Sequence, residues 1–245
     1  MTGLVRSELI KLLGLPSAWA AIGVGLLVAP VIAFITASSS SSAGADAGFQ
    51  ELAFGVVGAI ILGVVAVSSE YLAEGDSSTG SRQITTSLTV LPSRTKFLVV
   101  KAAALVLVVG ALALAAAAAT VVITQSVLGA AAPETGTGTV LRVTGVVLYW
   151  VLTALLAAGI TLMTRSGILP LTILVLNTSV VSVTYLLSRV VPAANYLPDL
   201  AGARMFVHEV ESSAEIAPVT GGLVMTAWVA VVLVAAVAVF RRRDA

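Results

Sequence analysis

The stretch "SSEYLAEGDSSTGSRQITTSLTVLPSRTKFLVVK", residues 68–101, carries Glu70, Glu74, Asp76, Arg82, Arg94, Lys96 and Lys101, and long apolar runs lie on both sides of it. A polar, basic insert between two lipid-compatible runs is a connection at a membrane surface. Within it, Ile84, Leu88 and Leu91 fall at i, i+4 and i+7, one face of a helix. Ser81 can cap the start of that helix, Pro92 blocks its continuation, and Arg94 and Lys96 anchor the chain before it re-enters the apolar phase. This pattern predicts a short helix with one apolar stripe, tied at both ends to spanning helices and able to dock in a partner's groove. The bland reading is a solvated loop with a chance apolar triplet.

Composition supports the membrane. Of 245 residues, 58% are hydrophobic and 10% charged, with mean hydropathy +1.08. A soluble domain carries about 25% charged residues, so these charges are too few to cover a water-soluble globule. The net charge of +1 gives no reason to expect a nucleic-acid partner. The absence of cysteine excludes disulfides, thiolate metal sites, a catalytic thiolate and a lipobox, and the single histidine, His208, leaves no histidine cluster.

A spanning helix needs about 20 mostly apolar residues. Six runs qualify, at 17–37, 49–67, 97–128, 140–163, 168–187 and 218–240. They are too long for barrel strands of about 9–11 alternating residues. The first is also longer than the roughly 7–15 residues of a signal-peptide core, which predicts a retained span. The third exceeds one span, and its centre, "ALALAAAAATVV", has high helix propensity. Between the runs lie a flexible Ser/Ala/Gly loop (38–48), a short Gly/Thr connection (128–139), a tight turn (164–167) and a long segment (188–217). With the N-terminus inside, ten Lys and Arg fall on inner segments and three, Arg142, Arg189 and Arg204, on outer ones. Both termini are therefore expected in the cytoplasm.

Before the first run, "VRSELIKLLGL" places Val5, Leu9, Leu12 and Leu13 on one helical face and Ser7, Glu8 and Lys11 on the other. A helix lying on the inner membrane surface fits; simple basic flanking of the first span is the alternative. In the fifth run Asn177 lies near the middle, and Thr178, Ser182 and Tyr185 form a stripe at i, i+4 and i+7. An amide in hydrocarbon must find partners, so this stripe is expected to line a translocation path or a subunit interface, or to bond helices within one chain. Gly55, Gly58 and Gly63 permit close backbone approach in the second run. The 195–206 segment reads as a pair of short helices before the last span. Trp19 fits an interfacial anchor, whereas Trp150 and Trp228 read as packing residues.

Four features, "RSELIKL" followed by "PSAW", "SEY…G…R…TSLTVLPSRTKFLVVK", "NYLPDLAGARMF" and the terminal "RRRDA", together resemble the permease subunits of ABC-2 type ABC transporters across essentially the whole chain. The resemblance implies an all-α polytopic membrane protein of six transmembrane helices, a single permease domain over 1–245, in a bacterial cytoplasmic membrane. It implies that 84–91 is a coupling helix, with Ile84, Leu88, Leu91 and Arg94 meeting an ABC ATPase subunit. Glu8 and Lys11 would lie on an interfacial helix beside it. It further implies a second permease chain in a homodimer, with spans two and five meeting across it, and export of the substrate. Against that family, 72–81 is a small insertion. No lysine follows G-x-x-x-x-G-K-[ST], so the chain is expected to be no enzyme and to bind no cofactor, with ATP and Mg held by the partner. The rival functions are an ion-coupled secondary transporter, which usually needs an acid or lysine near a span centre, and a non-transporting immunity or sensor protein.

Overall fold

In a hydrocarbon solvent each backbone N–H and C=O must be paired within its own segment, and long apolar runs therefore fold as helices. The computed structural model describes residues 2–39, 44–71, 93–133, 136–179, 183–208 and 216–242. Among these residues there are helices and no strand. The helices are α1 (Thr2–Leu13), α2 (Pro16–Ser39), α3 (Leu52–Ser68), α4 (Arg94–Leu128), α5 (Thr137–Thr164), α6 (Ile168–Ser179), α7 (Val183–Ser188), α8 (Pro198–Ala203) and α9 (Pro218–Arg242). Five, namely α2, α3, α4, α5 and α9, are long and apolar enough to cross a membrane. The chain is an all-α, multi-pass membrane protein.

Local chemistry sets the helix ends. Ser93, just after Pro92, starts α4 by accepting a hydrogen bond from the Lys96 N–H through its hydroxyl. The 35 residues of α4 span about 52 Å at 1.5 Å per residue, more than the ~30 Å hydrocarbon core. Gly129, at φ 55°, ends it. Arg165 takes the same left-handed region at the end of α5, at φ 52°, and donates its N–H to Thr161 O.

α3 lies at the centre, with 67% of its apolar window buried against 22% for α9. It packs on α2, α4, α5 and α6. A Cβ on Gly58 would stand 2.5 Å from the Gly25 backbone, and one on Gly63 would stand 2.3 Å from Ala154 O. Small residues thus let α3 touch α2 and α5 within one chain. Trp150 is fully buried beside them and donates to Leu52 O at 3.1 Å, while Trp19 is exposed. Trp228, expected as a packing residue, is 41% exposed and holds Tyr196 O through its indole N–H.

Two expectations need correction. The fifth run is not one helix over 168–187. Among the described residues it holds two helices, α6 with 12 residues and α7 with 6, and 180–182 lie outside the described residues. The Asn177 side-chain oxygen accepts the N–H of Thr184, so α7 starts on a side-chain cap. Nor is 38–48 wholly a free loop. α2 runs on to Ser39, and Asp46 is buried.

The 195–206 segment contains a 3₁₀ turn, Pro192–Tyr196, followed by α8, with Met205 and Phe206 buried after them. These pack beside Gly145, Tyr149 and Gly221. At the opposite end of the bundle Phe97 stacks on Phe240 at 6.5 Å and Lys101 pairs with Glu8. The starts of α1 and α4 and the finish of α9 therefore share that end.

Candidate functional site

Residues of α2, α3, α5, α6, α7 and α8 enclose an open cleft of about 690 Å³. Its walls are apolar and aromatic at Ile32, Phe54, Tyr149 and Leu200, and polar at Thr36, Glu51, Asn177, Thr178, Tyr185 and Asp199. A second cavity of about 430 Å³ adjoins it, sharing Tyr149, Asn177, Thr178 and Asp199. Asn177 is the joint between these spaces. Its amide nitrogen donates to the Asp199 carboxylate at 2.6 Å, and its oxygen caps α7. Glu51 is 3% exposed and receives the Thr36 hydroxyl and the Gly48 N–H, both at 2.9 Å. Burial pushes the Asp199 carboxyl above its ordinary value, and hydrogen bonds from Thr184 and Asn177 oppose that rise.

Of the expected path residues, Asn177, Thr178 and Tyr185 border this cleft; Ser182 lies outside the described residues. They reach it from α6 and α7. The Tyr185 hydroxyl accepts a hydrogen bond from Arg189, which also lies over its ring.

The other expected site lies at the basic end. Ile84, Leu88 and Leu91 fall in 72–92, outside the described residues, and Arg94 is the first residue of α4. Both roots of that segment meet α1. Glu70, 1% exposed, is 2.5 Å from Lys11 and 2.9 Å from Lys101, and Lys101 is 2.8 Å from Glu8. Glu8 and Lys11 therefore face the protein, while Ile10 and Leu13 on the same helix are exposed. The charged face of α1 is turned to Glu70 and Lys101, because two buried charges need partners.

Sequence patterns missed a third cluster. Arg142 pairs with Asp46, donates to Phe206 O at 2.8 Å and Ala45 O at 2.9 Å, and lies over Phe49. The second Asp46 oxygen accepts the His208 N–H. These contacts tie the start of α5 to the segments before α3 and after α8. Glu51 was missed as well, although a carboxylate inside the first turn of an apolar run was a visible signal. Among the described residues no three His, Cys, Asp or Glu side chains gather as a metal site.

The chain matches no protein-family model and no curated protein.

Proposed function

We propose that the chain is the membrane-spanning subunit of an ABC-2 type exporter in a bacterial cytoplasmic membrane. It works as a homodimer and is driven by ATP hydrolysis in a separate ATPase subunit. The observation that carries this reading is the charge cluster joining α1 to both roots of the 72–92 segment. A segment gripped by a motor needs stiff attachments at both roots, and Glu70 and Lys101 supply them. The contacts of Gly167 with Ser68, and of Arg165 with Tyr71, start α6 at the same basic end. α9 finishes there too. An even number of crossings follows, with α6 and α7 making the fifth in two pieces and both termini in the cytoplasm. The cleft around Asn177 is then the substrate path.

Glu51 and Asp199 in that cleft favour one second reading, an ion-coupled secondary transporter. The deciding experiment is co-expression with the candidate ATPase, co-purification, and ATP-dependent transport in liposomes. A stable complex with ATP-dependent transport supports the exporter. Transport by the chain alone, abolished by an ionophore, would support the rival.

A further inference from the structure

Among the described residues the cleft is lined by two carboxylates and by no lysine or arginine. Neither Glu51 nor Asp199 forms an ion pair. The donors to Glu51 are neutral, and those to Asp199 are an amide, a hydroxyl and backbone N–H groups. Two other buried carboxylates are matched by cations, Asp46 by Arg142 and Glu70 by Lys11 and Lys101. An unmatched buried carboxylate is costly, and here buried Glu51 and half-buried Asp199 face one space.

We infer that the cleft takes an amphipathic organic cation, with Asp199 as the contact carboxylate and Glu51 behind Thr36 supplying the field. At about 690 Å³ the cleft falls in the range of roughly 300–1,000 Å³ that suits drug-sized molecules. The walls agree, because Ile32, Phe54 and Leu200 present hydrocarbon to the body of such a ligand. Aromatic faces attract cations within ~6 Å of the ring centroid, and Tyr185 already carries the Arg189 guanidinium in this way at 4.9 Å. The inference rests on the cleft being the substrate path and names what that path accepts.

The test uses the full-length chain in lipid nanodiscs, with no ATPase present. Tetraphenylphosphonium and tetraphenylborate have the same shape and opposite charge. Equilibrium dialysis, corrected for uptake by protein-free nanodiscs, is expected to show saturable binding of the phosphonium at one site per chain and none of the borate. Asp199→Asn and Glu51→Gln are each expected to weaken the phosphonium by at least about tenfold. Equal binding of the two ions, or no saturable phosphonium binding, overturns the inference on the wild-type protein alone, whatever the variants do. Unchanged affinity in both variants, with native elution profiles, overturns it too. Failure here leaves the ATPase complex intact; absence of that complex leaves the cation site intact. The two readings fail separately.

Discussion

Glu70 and Lys101 stand 31 positions apart in sequence and 2.9 Å apart in space, closing the roots of the segment between them. Lys101 also reaches Glu8, and Glu70 also reaches Lys11, so α1 is part of the same closure.

Removing Lys101 leaves the buried set short of a positive charge. Lys101→Met is expected to destabilise the protein by about 3 kcal/mol, read as a lowered unfolding midpoint in detergent. Lys96→Met, one turn earlier and exposed, is expected to change it by less than about 0.5 kcal/mol. Equal effects would mean the cluster contributes nothing beyond surface charge.

Asn177→Leu removes the cap on α7 and the donor to Asp199 together. A loss of about 1–3 kcal/mol is expected from the groups left unsatisfied, along with altered transport. Thr178→Val loses only a hydroxyl that bonds its own helix at Leu174 O, so stability should hold. Wild-type stability and transport in the Asn177 variant would remove this residue from both roles.

The docking stripe is tested by opposed substitutions. Each apolar side chain buried in an ATPase groove contributes about 1.5–3 kcal/mol. Leu88→Asp is therefore expected to weaken co-purification by roughly thirtyfold or more, with transport falling in parallel and permease abundance unchanged. Thr86→Asp, off the stripe, should do much less. If the two behave alike in pull-down, the stripe is wrongly assigned.

Asp199 gives a pH signature. Its folded-state pKa is raised by burial, so between its unfolded and folded values the folded state holds the extra proton. Stability from this group is fully present below the unfolded value and is lost as pH rises through the folded one. Relative to wild type, Asp199→Asn should therefore gain stability as pH rises through that window. A difference independent of pH, measured by unfolding across the acid range, would rule this out.

The apolar runs were legible because hydropathy is additive along a segment, and α2, α3, α4, α5 and α9 lie close to the expected limits. The bond from Thr184 back to Asn177 in the fifth run was not. An apolar average over 168–187 reports solvent compatibility, and says nothing about whether Asn177 bonds forward to Thr184. The partners of the α1 charges were not legible for a related reason. Helical periodicity ranks faces by local polarity, whereas Glu8 answers to Lys101, 93 positions away. The carboxylates of the cleft were overlooked because Glu51 sits at the edge of an apolar run and Asp199 in a segment outside the expected spans.

The four-charge cluster also has an order in time. A chain is made from its N-terminus, so Glu8, Lys11 and Glu70 emerge before Lys101. Until then the set holds two negative charges and one positive, and Glu70 has a single lysine to satisfy it. Neutrality arrives with Lys101, after the whole 72–92 segment has been synthesised. Nascent chains halted between 71 and 100 should therefore hold α1 and α3 together poorly. Chains released just past Lys101 should hold them firmly, so that the first stable unit during biogenesis ends within α4.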